Sequence, residues 1–365
     1  MSEPRSSLPP ATLHLDEPPE DKRRVNGHTA EAHQRPTSLT RAFERALGAA
    51  PGALPSALPG ALWGKALIGP ARDFLQRPGK DFRARLVALC WALGGGDPGK
   101  LPDELPLLVE ILHAGSLIID DVQDDSAARR GAPALHRVCG VPLAINTGNW
   151  MYFWAFDLLG RAPLGAATRL ALYRRLGRTL MRCHEGQALD LTVRVADIEQ
   201  PLVPGVVASI TRLKTGSLMG FSGYVGARAA RAGALLVRRV ARCCRDVGVG
   251  LQMLDDLGGI TARARADKGL EDLRHRRATW PWAWLAEVAE PRAFAEAQRR
   301  LCVAEDERDL RAVAELLRER VEATGRIRVA RHLGGALAAL RDAVGGAPPV
   351  VELEREIELL KQSYG

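Results

Sequence analysis

Between Leu105 and Asp125 the sequence has the period of a helix, and its apolar residues lead directly into Asp120-Asp121-Val122-Gln123-Asp124. Asp120 and Asp124, at i and i+4, share one face, and Asp121 lies about 100° round from Asp120. Three carboxylates crowded on one turn repel one another, so a counter-cation is expected. Hard oxygen ligands with no His or Cys in the cluster suit Mg²⁺. A solvated acidic helix end would not explain why Ser116-Leu117-Ile118-Ile119 directly precedes the aspartates. An apolar helix that delivers carboxylates into a cavity explains the pattern better.

A second cluster repeats the pattern. Gly248 to Leu254 is mostly apolar and leads into Asp255-Asp256, with Gln252 one turn earlier. Alone, a buried Asp pair can cap a helix or form a salt bridge; two clusters, each ending an apolar helix, support each other. Mg²⁺ held by a few carboxylates usually shares its coordination with phosphate oxygens, and phosphates also need cations. Arg129-Arg130 lies five residues past Asp124. Lys80 and Arg83 open a helix after Pro78-Gly79, and Lys268 follows the second cluster. Singly, each of these reads as an ordinary surface charge. Lys214 does not, because a lysine amid Ile210, Leu213 and Leu218 needs a partner.

The 365 residues allow one large domain or two ordinary ones. Apolar residues make up 46%, enough for a substantial core, while aromatics are 5% and Ala, Leu and Arg abound. These are helix formers, and the alternation expected of sheets is nearly absent. The net charge is +8, but only seven of the 51 basic residues are Lys, a bias that points to a GC-rich genome more than to a basic partner. The basic residues have no interleaved aromatics on one face, which argues against nucleic acid. Six cysteines without a Cys-x-x-Cys pair argue against zinc and a disulfide framework, and fit a reducing cytoplasm. The uncharged run Val138 to Phe156 could span a bilayer by length, but Pro142, Asn146, Thr147 and Asn149 make it a buried helix, not a membrane span.

Residues 1–37, rich in Pro, Glu, Arg and Ser, read as a disordered extension without the apolar core of a signal peptide. From 38 to 365 one all-α domain is expected. Helices are predicted over 40–47, 64–76, 81–94, 104–125, 142–160, 164–192, 202–230, 233–258, 279–289, 293–304, 307–322, 326–343 and 351–361. Gly94-Gly95-Gly96, Pro98-Gly99, Pro201 and Pro204 punctuate them, and Pro51 to Pro59 is a connector.

The ordered set of motifs resembles the trans-isoprenyl diphosphate synthases. Asp120-Asp121-Val122-Gln123-Asp124 followed by Arg129-Arg130-Gly131 looks like that family's first aspartate-rich motif. Pro78-Gly79-Lys80-Asp81-Phe82-Arg83, His113, Gly186-Gln187, Lys214-Thr215 and Gln252-Met253-Leu254-Asp255-Asp256 match its other landmarks, in order. The likeness covers roughly Pro78 to Pro281. Ile111 to Asn149 is most similar to geranylgeranyl diphosphate synthases of the animal and fungal type. The resemblance implies the isoprenoid synthase fold, with helices surrounding a central cavity, and a homodimer. It implies Mg²⁺ on Asp120, Asp121 and Asp124 from one side and on Asp255 and Asp256 from the other. Arg129, Lys214 and Lys268 would contact an allylic diphosphate (dimethylallyl, geranyl or farnesyl). Lys80, Arg83, His113 and Arg130 would hold isopentenyl diphosphate. Thr215, with carbonyls near Lys214 and Gln252, would stabilise an allylic cation.

Two positions depart from the family pattern: Gly259 stands where an Asp usually closes the second motif, and Arg277 where Lys is usual. Gly115 and Ser116, about 5.4–7.5 Å below the metal site along the helix, leave room for a growing tail. Leu112, Ile111 and Leu108 would form the floor, so a twenty-carbon product is expected, with twenty-five possible. Close helix packing is the alternative reading of the two small residues. A class I terpene cyclase on the same fold would keep the aspartates without an isopentenyl diphosphate site, and a regulatory subunit would tend to lose them. The presence of Lys80, Arg83, His113 and Arg130 favours chain elongation.

Overall fold

Helix α5 (Glu104–Gln123) forms the axis of the molecule because its apolar residues point in every direction: Leu105, Leu108, Val109, Ile111, Leu112 and Ile118 are all buried. The computed structural model describes residues 38–48 and 59–362. The expected disordered extension 1–37 lies outside them, as does most of the Pro51–Pro59 connector. The described residues all belong to one compact unit, Thr37–Gly365.

Before α5 come α1 (Ser38–Gly48), α2 (Gly60–Trp63), α3 (Gly69–Gln76) and α4 (Phe82–Leu93). After it, a two-residue antiparallel ladder pairs β1 (Ala128–Arg129) with β2 (Ala132–Pro133) and leads to α6 (Leu135–Cys139), α7 (Val141–Arg161) and α8 (Ala166–Thr192). Then follow α9 (Val203–Thr211), α10 (Ser217–Ala229), α11 (Ala234–Thr261), α12 (Ala266–Arg274), α13 (Trp280–Val288), α14 (Pro291–Val303), α15 (Glu307–Val344) and α16 (Pro348–Gln362). Two apolar cores result. One gathers α5 and α7 with parts of α3, α8 and α10; the other gathers α11, α13, α15 and α16.

Most predicted helices are present within a few residues. Three differences have physical causes. The 202–230 helix is interrupted by a π-helical turn, Arg212–Gly216, which carries Lys214 and Thr215; such bulges re-aim side chains inside a helix. The break expected between 322 and 326 is absent, because Gly325 lies under the ring of Trp284 and α15 continues past it. Helix α12 has few apolar residues and was not expected. It is held by close approach to α11, where a Cβ on Gly259 would lie 3.1 Å from Gly269 Cα.

Candidate active site

The ends of α5 and α11 that carry the aspartates meet the π-helical turn and α12. Asp120 and Asp124 face the same way, as their spacing requires. Lys214 Nζ lies 2.8 Å from Asp190 Oδ2 and 3.5 Å from Asp120 Oδ2. Burial pulls the Lys214 pKa down, but Asp120 and Asp190 outweigh it and hold the ammonium above its ordinary value. Burial raises the Asp120 pKa; Lys214 opposes this, and Asp124 and Asp190 reinforce it. Arg277 bonds to Asp124 and stands 3.5 Å from Asp272 Oδ1 and 3.9 Å from Asp190 Oδ2. On the α11 side Asp255 bonds to Lys268 and Arg265. Asp272 lies in the field of both Arg277 and Lys268 and so links the two sides.

Asp121 and Asp256, both expected as metal ligands, have protein partners of their own. The Asp121 side chain is fully enclosed, and Arg129 Nε donates to its Oδ1 at 2.8 Å. Its position 100° round the helix turns it away from the shared face of Asp120 and Asp124. Asp256 has both oxygens engaged: Gln252 Nε2 donates to Oδ1 at 2.8 Å and the Trp280 backbone N–H to Oδ2 at 3.0 Å. The Thr215 hydroxyl in turn donates to Gln252 Oε1 at 2.9 Å. Burial, reinforced by Asp272, pushes the Asp256 carboxyl up to about 7.

A second cluster, rich in cations, gathers around His113, seven residues before Asp120 and on the same face of α5. His113 is pushed well below its ordinary pKa by burial and then by Arg83, Arg130 and Arg129, so it is a neutral imidazole among guanidinium groups. Arg130, at φ 55°, places its guanidinium 5.6 Å from the Phe74 ring centroid. Glu110 balances part of this charge; it is buried and accepts the Ala84 N–H at 2.9 Å. Lys80 is exposed at its surface; partial burial lowers its pKa, Arg265 adds to this and Asp255 opposes it.

Gly115 does not border open space. A Cβ there would stand 2.8 Å from Gly148 O and 3.1 Å from Met151 Cβ, so the glycine sets the distance between α5 and α7. Ser116 is half-buried and its hydroxyl donates to His113 O at 2.8 Å. The side chain met below Asp120 is Tyr152 of α7. Its ring packs edge-on against His184 of α8 at 5.6 Å, and the nearby Asp120 carboxylate adds to the burial that raises its pKa.

The polyprenyl synthetase family model matches residues 65–319, which contain both aspartate clusters, the His113 cluster and Arg277. The chain belongs to the polyprenyl synthetase family. A geranylgeranyl pyrophosphate synthase from Eremothecium gossypii is 39% identical over 124 residues, 33% of this chain and 38% of that protein. One from Fusarium fujikuroi is 37% identical over 123 residues, 34% of this chain and 28% of that protein. The matched stretches thus span little more than a third of these relatives at most. Among solved structures, a geranylgeranyl pyrophosphate synthase from Corynebacterium glutamicum, complexed with isoprenyl diphosphate and magnesium, superposes with a TM-score of 0.75 at 22% identity, covering 89% of this chain and 96% of that one. One from Lactobacillus brevis gives 0.72 at 24% identity, covering 89% and 95%. These likenesses establish the all-α isoprenoid synthase fold expected from the motifs.

Within this polyprenyl synthetase site, two carboxylates were not foreseen. Asp190, three residues after Gln187 on α8, pairs with Lys214; burial would raise its pKa, but Lys214 and Arg277 hold it below the carboxylate range. Asp272 of α12 is pushed up to about 6 by burial, against Lys268 and Arg277. The spacing of Asp190 from Gly186-Gln187 was a usable signal. Asp272 had none, since its helix was not legible.

Proposed function

We propose that this polyprenyl synthetase is a Mg²⁺-dependent trans-prenyltransferase that condenses isopentenyl diphosphate with an allylic diphosphate to make geranylgeranyl diphosphate. The observation that carries this reading is the pairing of two unlike anion sites: a carboxylate-and-cation site around Asp120, Asp124 and Asp255, and a guanidinium–imidazole site at Arg83, His113 and Arg130. A cyclase would need only the first. The fungal relatives named as geranylgeranyl pyrophosphate synthases support the product assignment.

The donor set fits Mg²⁺. Asp120 stands beside Asp124 and Asp190, an all-oxygen donor set of the kind Mg²⁺ takes, with Lys214 and Arg129 as its cationic neighbours. Mg²⁺ usually keeps one or two carboxylates and takes its other ligands from phosphate and water. Asp120 and Asp124 on one side and Asp255 on the other would hold it. Asp121 and Asp256 act instead as positioning residues, on Arg129 and on the Gln252–Thr215 pair. Bound Mg²⁺ would supply Lewis-acid stabilisation of charge on a departing diphosphate.

The chain's own residues do the rest. Lys214, Arg129, Lys268 and Arg277 neutralise the leaving diphosphate oxygens. Arg83, Arg130 and neutral His113 orient isopentenyl diphosphate. Thr215 and Gln252, locked together by Asp256, turn oxygen dipoles toward the reacting carbon. The departing diphosphate takes up the proton lost after bond formation.

A homodimer is also proposed. Val138, Val141, Ile145 and Phe153 form an exposed apolar line along α6 and α7, with Phe153 73% exposed. Phe153→Glu should convert a dimer to a monomer in sedimentation velocity.

The decisive assay supplies isopentenyl diphosphate with dimethylallyl, geranyl or farnesyl diphosphate in turn, with Mg²⁺ present, and sizes the products. Twenty-carbon diphosphate from all three primers is expected. Release of cyclic hydrocarbon without consumption of isopentenyl diphosphate would refute elongation.

A further inference from the structure

The positive charge of this chain is concentrated in one stretch. Residues 166–245 hold fourteen Arg and Lys against four Asp and Glu, so this stretch alone carries +10, more than the +8 of the whole chain, and the remainder is net acidic. On α15, Arg311, Arg318, Arg326, Arg328 and Arg341 are each matched to a glutamate. The arginines of α8 and early α11 are organised otherwise.

Arg175, Arg178 and Arg182 stand at i, i+3 and i+7 on α8, and Arg238, Arg242 and Arg245 at i, i+4 and i+7 on α11. Each set shares one helix face. The two faces meet across α10: Arg175 lies within the field of Arg178, Arg182 and Arg245, and its guanidinium sits 5.2 Å from the Tyr224 ring centroid. Of the six, only Arg245 has a carboxylate partner among the described residues, Asp246 at 3.3 Å. Arg178, Arg182, Arg238 and Arg242 are exposed. Like charges held this close repel, and a multivalent anionic partner would offset that repulsion.

The neighbouring side chains indicate which partner. Met181, 65% exposed, lies between Arg178 and Arg182, and Leu235, 57% exposed, lies one turn before Arg238. Among the described residues no Phe, Tyr or Trp side chain is exposed on α8, α10 or α11, and the exposed ring of His184 is packed on Tyr152. Surfaces for single-stranded nucleic acid stack bases on aromatics, whereas arginine mixed with exposed aliphatics suits a face lying on anionic lipid. No described helix is long and apolar enough to cross a membrane, so the contact would be peripheral. We propose that the arginine face of α8 and α11 docks the protein on a bilayer surface containing anionic phospholipid. The guanidinium groups lie on lipid phosphates, and Met181 and Leu235 reach the acyl boundary. Asp255 and Asp256 lie near the opposite end of α11 from Arg238, so docking leaves the aspartate end open.

Full-length protein is mixed with vesicles of phosphatidylcholine alone, or of phosphatidylcholine with phosphatidylserine, and the bound fraction is read by co-sedimentation. Binding to the phosphatidylserine vesicles only, weakening as salt is raised, is expected. The combined variant Arg178→Gln, Arg182→Gln, Arg242→Gln should bind on the order of 100-fold more weakly, at roughly fivefold per arginine. A charge-matched variant on α15, Arg308→Gln, Arg320→Gln, Arg331→Gln, should bind like the parent. The proposal fails if both vesicle types bind equally, if neither binds, or if the α8–α11 variant keeps its affinity. It also fails if a duplex oligonucleotide binds this face more tightly than the vesicles, which would make it a nucleic-acid surface.

Discussion

Gly259 and Gly269 press backbone to backbone, with the Cβ position of Gly259 3.1 Å from Gly269 Cα. The position where the family usually carries a closing Asp is therefore a packing contact here, and it brings α12 with Lys268 and Asp272 onto the site. A side chain at Gly269 would overlap the Gly259 backbone. Gly269→Ala should lower stability by about 1–3 kcal/mol, the usual cost of overpacking, read from urea unfolding. Gly259→Asp should also destabilise the fold instead of strengthening the second motif; a gain in both stability and activity would contradict this packing.

Arg277 reaches three carboxylates from three elements: Asp124, Asp190 and Asp272. Arginine's fork can serve several acceptors, and a lysine presents one point charge. Arg277→Lys should fold but react more slowly. Arg277→Met should be less stable by about 3–5 kcal/mol, because Asp124 and Asp272 lose their guanidinium partner while Asp190 keeps Lys214. Thermal unfolding separates the two; equal melting temperatures would show the arginine is not balancing those charges.

Asp190 holds Lys214 at 2.8 Å. It is a positioning residue, so Asp190→Asn should leave the fold intact and cost up to about 100-fold in kcat through misplacement of Lys214. The KM for isopentenyl diphosphate, assigned to the Arg83–His113–Arg130 side, should stay unchanged. A rise in that KM with kcat preserved would place Asp190 in the wrong site.

Gly115→Phe is expected to disrupt folding, not to shorten the product, because Gly148 and Met151 occupy the space its side chain would need. A tail growing down α5 from Asp120 would meet the Tyr152–His184 contact. Tyr152→Ala should release products longer than twenty carbons on chromatography. An unchanged product distribution would move the floor deeper, toward Leu108.

The sequence by itself determined the helical class, the apolar helices that end in aspartates and the order of the cationic landmarks, because helical period and i, i+4 spacing are local properties. It also marked Lys214 as a cation in need of partners, and the side chain is half-buried between Asp120 and Asp190. It could not say which partners, since Asp190 and Asp120 reach Lys214 from different helices. Nor could it separate the surroundings of Asp120 from those of Asp121, or see that Asp256 spends both oxygens on Gln252 and Trp280; those distinctions depend on what lies around each carboxylate in space. Gly115 and Gly259 are the sharpest cases. As letters they read as room for a tail and as a lost ligand, and only the tertiary packing decided that both are places where two helices come too close for a side chain.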